Sequence, residues 1–237
     1  MKDKSIQELI NLYHSGKLTI VEKKVIELIK KKPKNFILYN LFGAVLVNKK
    51  NFDKAIINYK KSIEINPDYA EGHNNLGSAL YKLGKFNESI DSFQRAIKIK
   101  PNLTEAYNNL GLAFKELGRF NESIDSYQQA IKINPEYAEA YNNLGNVYYR
   151  IEKIDEAILN YKKAIKINVN FAEAYNNLGN LLTDLGKVDE ARDCEDKLLT
   201  LKPNDIGYRI NTVLSIIPIV NSVEEINFYR NKYEKGL

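Results

Sequence analysis

Four asparagine pairs stand in register along this chain: Asn74-Asn75, Asn108-Asn109, Asn142-Asn143 and Asn176-Asn177, each followed by Leu-Gly. A carboxamide carries two N–H donors and one carbonyl acceptor without a net charge. A row of such groups suits a polypeptide backbone, which it can bind with little regard for side chains. Glu71, Glu105, Glu139 and Glu173 form a second row, each three residues ahead of a pair. Other chemistry is sparse. His14 and His73 are far apart, and Cys194 is the single cysteine and has no histidine near it in sequence. One cysteine excludes an intramolecular disulfide and a cysteine zinc site. The glycines recur at a fixed spacing and make no phosphate-binding loop. We therefore expect no catalytic residue, no metal and no cofactor.

The elements that must position these rows follow a grid of 34 residues. Pro33, Pro67, Pro101, Pro135 and Pro203 lie on it, with Val169 in the one remaining slot, and so do Gly43, Gly77, Gly111, Gly145 and Gly179. A fixed period of this length means one supersecondary unit stacked in a row. Within a unit, Tyr141, Leu144, Gly145 and Tyr148 fall at i, i+3, i+4 and i+7, one face of a helix. Ala157, Tyr161 and Ala164 mark a second helix by the same spacing. The glycine recurs opposite the small residues Ala55, Ser89, Ser123, Ala157 and Ala191, which predicts two helices pressed backbone to backbone, Gly145 against Ala157. Gly84, Gly118 and Gly186 fall between the helices, where a left-handed cap is needed. Proline follows the second helix because it cannot continue one. Asn66, Asn134 and Asn168, just ahead of the proline slot, are read as helix terminators, and Asn87 and Asn121 as turn residues.

This pattern resembles the tetratricopeptide repeat: an aromatic, Leu-Gly, an apolar residue, then Ala, an aromatic, Ala and Pro. The resemblance covers residues 36–205 as five units (36–69, 70–103, 104–137, 138–171 and 172–205), with Glu195 standing where an aromatic is usual. It implies an all-α solenoid, a right-handed superhelix of antiparallel helix pairs. Residues 1–35 keep only Gly16, the stripe Val21, Val25, Leu28, and Pro33; they are read as a degenerate helix pair that caps the stack.

At 100° per residue the second asparagine of each pair lies about 150° from the stripe that faces its partner helix. In the tetratricopeptide family the first helices line the concave groove. The resemblance thus implies that Asn75, Asn109, Asn143 and Asn177 form a peptide-binding row there, with Asn146, Asn180, Lys82 and Arg150 as further groove residues. On this reading alanine at the row lowers binding and barely changes stability. The bland alternative is a solvated helix face copied by duplication. The glutamate row sits in first helical turns, where a carboxylate suits the macrodipole. Some tetratricopeptide domains clamp a C-terminal carboxylate with lysines at the slots that here hold glutamate and asparagine, so such a clamp is not expected.

Residues 206–237 leave the grid. The run from Ile216 to Arg230 resembles the junction in bacterial SPINDLY-type O-linked N-acetylglucosamine transferase-like proteins, which also carry an asparagine ladder. That resemblance implies a transferase docking region as the alternative function, with activity only if a catalytic part follows. The expected partner is a protein or extended peptide. The net charge of +5 is mild, and its lysine cluster Lys30, Lys31, Lys32 and Lys34 near a helix end needs no nucleic acid. The longest apolar stretch, Val213 to Val220, is too short for a membrane helix. A single cysteine and a start without an apolar signal core fit a reducing, cytoplasmic setting.

Overall fold

The computed structural model describes residues 4–203, and all secondary structure there is helical. Twelve helices follow one another: α1 Lys4–His14, α2 Leu18–Lys31, α3 Phe36–Asn48, α4 Phe52–Ile65, α5 Ala70–Lys82, α6 Phe86–Ile99, α7 Thr104–Glu116, α8 Phe120–Ile133, α9 Ala138–Arg150, α10 Ile154–Ile167, α11 Ala172–Asp184 and α12 Val188–Leu201. The junction expected at 206–237 lies outside the described residues. The chain divides after Asn143 into two compact units. In the first, α3 packs on α4, α5 on α6 and α7 on α8, and each pair packs on the next through α4 and α5 and through α6 and α7. In the second, α11 packs on both α10 and α12. Contacts thus run between neighbours in sequence, the pattern of an all-α repeat solenoid.

The turns repeat as faithfully as the helices. Between first and second helices the chain takes a left-handed residue at positions 16, 50, 84, 118, 152 and 186. Each closes a Schellman motif, as where Lys85 N–H bonds the Leu80 carbonyl at 3.0 Å and Gly84 N–H bonds Tyr81 at 2.9 Å. Four of these residues are glycine; Lys50 (φ 57°) and Glu152 (φ 61°) hold the same conformation with a side chain. Between units, Asn66, Asn134 and Asn168 end their helices as expected. Each side chain accepts from the N–H two residues on, at 3.3, 3.1 and 3.1 Å. Asn87 and Asn121 are not turn residues: both lie in the first turns of α6 and α8.

The glycine contact differs from the expectation. A Cβ at Gly145 would stand 2.6 Å from Cε1 of Tyr161, and one at Gly43, Gly77 or Gly111 would strike the ring of Tyr59, Phe93 or Tyr127. The glycine makes room for a flat ring lying on the first helix, not for the backbone of the second. The small residues still matter to the close approach: Ser123 Oγ donates to the Gly111 carbonyl at 2.7 Å. At Gly179 the ring slot holds Glu195, and the nearest atom is Cys194 Cβ at 3.3 Å.

The first helix pair explains its own divergence. Leu9 stands 34 residues before Gly43, and Val25 stands 34 before Tyr59. Both are buried in one cluster with Val21, Leu38 and Val45. The large residue has moved to the first helix and the smaller one to the second, so the volume across the contact is kept while the letters change.

Candidate functional site

In the first compact unit each second asparagine reaches back to the first helix of the preceding repeat. Asn75 Nδ2 donates to Asn40 Oδ1 at 3.0 Å, Asn109 to Asn74 at 3.1 Å and Asn143 to Asn108 at 2.9 Å. Asn109 also approaches Ser78 Oγ at 3.4 Å. The helix period produces this register. Residue i+35 lies one repeat and one residue on, so the second asparagine of one helix meets the first asparagine of the helix before. Asn75, Asn109 and Asn143 are half-buried, and Asn108 is buried. The Oδ1 atoms of Asn75, Asn109 and Asn143 accept no hydrogen bond from the described residues. The row therefore presents fixed carbonyl acceptors, with at least one N–H of each amide already used.

Alanine at the row removes bonds between repeats and should therefore cost stability, contrary to the expectation from sequence. The anchors Asn40, Asn74 and Asn108 are the residues the sequence reading missed. Their signal was present: asparagine recurs at that slot as regularly as at the next.

In the second compact unit Asn177 Nδ2 donates to Asn146 Oδ1 at 3.0 Å, and the Tyr161 hydroxyl donates to the same oxygen at 2.8 Å. Asn146 therefore ties its own second helix to the next first helix. Asn180 and Arg150 are exposed. In the first unit Lys82 is exposed at the end of α5. Beside it Tyr81 Oη donates to Glu116 at 3.2 Å, and burial with the nearby carboxylate pushes that phenol up to about 12. Tyr149 repeats the contact with Asp184 at 2.7 Å.

Glu71, Glu105, Glu139 and Glu173 all fall in first turns of first helices. Glu71 also pairs with Lys100 at 2.8 Å, which holds its carboxyl below the ordinary range. Because i and i+4 share a helix face, Glu105 and Glu139 flank Asn109 and Asn143. His73 Nε2 lies 2.9 Å from the Pro67 carbonyl and ties α5 to the preceding turn. Cys194 is buried, and that burial pushes its thiol up to about 11, away from nucleophilic use. Among the described residues no cluster of histidine, cysteine or carboxylates could hold a metal, and no helix is long and apolar enough to cross a membrane.

Family models described as TPR repeat match residues 43–84, 77–118 and 113–152, and models described as tetratricopeptide repeat match 138–171 and 160–193. No curated protein matches the sequence. Among solved structures, MamA is 33% identical with a TM-score of 0.60, over 70% of this chain and 97% of that one. PilW, a type IV pilus biogenesis factor, is 21% identical with a TM-score of 0.79, over 89% and 96%. A thermophilic TPR protein from Thermus thermophilus is 22% identical with a TM-score of 0.64, over 76% and 97%. The last two likenesses concern the fold alone.

Proposed function

The chain belongs to the tetratricopeptide repeat family, whose units are protein–protein interaction modules, and from that premise we propose that it binds an extended polypeptide along its asparagine rows. The observation that carries this reading is the anchoring of the row. Each amide of Asn75, Asn109 and Asn143 is held by a hydrogen bond to the repeat before. Its carbonyl then needs no reordering to accept a backbone N–H, and preorganisation of this kind lowers the entropic cost of binding. Lys82 in the first unit, and Asn146, Arg150, Asn177 and Asn180 in the second, are further residues of the proposed binding. Uncharged amides favour the peptide backbone over particular side chains.

The test replaces Asn75, Asn109, Asn143 and Asn177 together by Ala and titrates the folded variant against an unbiased library of extended peptides. Each lost hydrogen bond costs about 0.5–1.5 kcal/mol, so the four together should remove about 2–6 kcal/mol of the roughly 8 kcal/mol of a micromolar affinity. A control variant, Asn40→Ala with Asn74→Ala, cuts two of these inter-repeat bonds, those of Asn75 and Asn109, from the other end. It should lose similar stability per bond yet keep more binding. Unchanged binding in the folded quadruple variant would reduce the rows to structural glue. Docking for a sugar transferase uses the same face and differs in the residues beyond the repeats. Transfer from a nucleotide sugar to a peptide bound by this chain, measured with a catalytic part supplied, is the measurement that separates the two readings.

A further inference from the structure

Two second helices carry outer faces of opposite sign, and we propose that these faces pair between copies, α2 of one molecule against α12 of a second. This contact is separate from the asparagine rows and does not rest on them. From Lys17 to Lys34 there are seven lysines and two glutamates. On α2, Lys23 and Lys30 are exposed two turns apart with the exposed Glu27 between them, a face of net positive charge on the side away from the buried Val21 and Val25. Lys24 is neutralised by Glu8 at 2.7 Å, whereas Lys23 and Lys30 have no ion-pair partner among the described residues.

On α12 five acidic residues outnumber two basic ones. Asp189, Asp193 and Asp196 recur at i, i+4 and i+7, opposite the buried Ala191, Cys194 and Leu198. The Asp189 side chain is 99% exposed, with Arg192 near it at 3.5 Å.

Aliphatic side chains are exposed near both sets of charges, Ile20 and Ile26 on α2, Val188 in the first turn of α12 and Leu185 at the end of α11 before it. Apolar area gives such a contact its cohesion, and the charges choose the pairing. Two α2 faces repel one another, as do two α12 faces, so the unlike pairing is the favoured one. One helix laid on another buries little surface, which places the contact in the weak, salt-sensitive class.

The test is sedimentation of the nuclease-treated full chain over a concentration series, at roughly 20 mM and roughly 500 mM salt, where the screening length falls severalfold. The weight-average mass should climb with concentration at low salt and stay monomeric at high salt. Two charge-reversed variants follow: Lys23→Glu with Lys30→Glu, and Asp189→Lys with Asp193→Lys. All four side chains are exposed, so helicity by circular dichroism should be unchanged. Each variant alone should associate about tenfold more weakly than the parent. An equimolar mixture should regain association, because each reversed face meets its complement. A parent chain that is monomeric at low salt overturns the proposal. So does a mass that neither reversal changes, or association that nuclease treatment abolishes.

Discussion

The hydroxyls of Tyr127 and Tyr161 occupy the same slot of adjacent repeats and should respond oppositely to removal. Both rings lie over a first-helix glycine and are buried. Tyr161 donates to Asn146 at 2.8 Å. The residue 34 before Asn146 is Leu112, and the Tyr127 hydroxyl has no hydrogen-bond partner among the described residues. Ser123, one turn before Tyr127, spends its own hydrogen on the Gly111 carbonyl. An unsatisfied buried hydroxyl costs about 1–3 kcal/mol, and a typical satisfied one contributes about 0.5–1.5 kcal/mol net. Tyr127→Phe should therefore stabilise its repeat by about 1 kcal/mol or more. Tyr161→Phe should cost about 1 kcal/mol, held down because Asn146 keeps its bond to Asn177. The two variants then differ by about 2–3 kcal/mol for the same atom removed. A stack need not unfold in two states, so one denaturation midpoint is a poor readout. Amide hydrogen exchange in α8 and α10, read separately, reports each repeat. A third variant, Leu112→Asn, supplies the missing acceptor. In a double-mutant cycle with Tyr127→Phe it should couple favourably to the tyrosine, and the coupling should vanish once the hydroxyl is gone. Equal destabilisation by the two Tyr→Phe changes would refute the reasoning, since Tyr127 would then have a partner such as an ordered water.

Gly145→Ala should be severe, costing about 1–3 kcal/mol or more, because its Cβ would fall 2.6 Å from a ring that Asn146 holds in place. Gly179→Ala meets Cys194 Cβ at 3.3 Å and the Ala191 carbonyl oxygen at 3.9 Å, and should cost at least about 1 kcal/mol less in the same exchange experiment. Lys50→Gly and Glu152→Gly should each stabilise by about 0.5–1 kcal/mol, since both residues now hold positive φ; a loss on thermal melting would mean that their side chains make contacts that outweigh the strain. Val169→Pro should be neutral or stabilising by about 0.4–1 kcal/mol. Its turn makes the same bond as the proline-bearing ones, Phe171 N–H to Asn168 at 3.0 Å against Tyr137 N–H to Asn134 at 3.1 Å, and a loss above about 1 kcal/mol in denaturant would contradict that equivalence.

The helix pairs and their turns were legible because they depend on single residues with singular backbones. Proline stops a helix and glycine admits a left-handed cap, and each does so wherever it stands. Even so, the cap at positions 50 and 152 is made by lysine and glutamate. The turn is imposed there by the packing of both helices, and no local letter announces it. Side-chain contacts were harder to read, because period alone says which residues share a face and not which atoms fill the gap between faces. Gly145 and Ala157 are small for the sake of one contact, yet the space at Gly145 belongs to the Tyr161 ring. Leu9 and Val25 show the same limit from the other side, since an exchange of volume across a contact leaves packing intact and erases the pattern.

The asparagine rows join these two lessons. Their direction away from the partner helix followed from the helix period, but their bond to the preceding repeat depends on how one repeat sits on the next, which no single unit encodes. That bond changes what the rows are. A solvated amide is a flexible group that must be ordered at each binding event. An amide tied to the repeat before it is ordered as soon as the stack forms, so on the proposed function packing and recognition would share the same atoms. On the proposed function, binding along the row would stabilise the junctions between repeats, and loosening a junction would weaken binding without touching the peptide. The two effects could be parted, because Asn74 and Asn108 anchor the row through their own oxygens, while those of Asn109 and Asn143 accept nothing from the described residues and are the acceptors the proposed function uses.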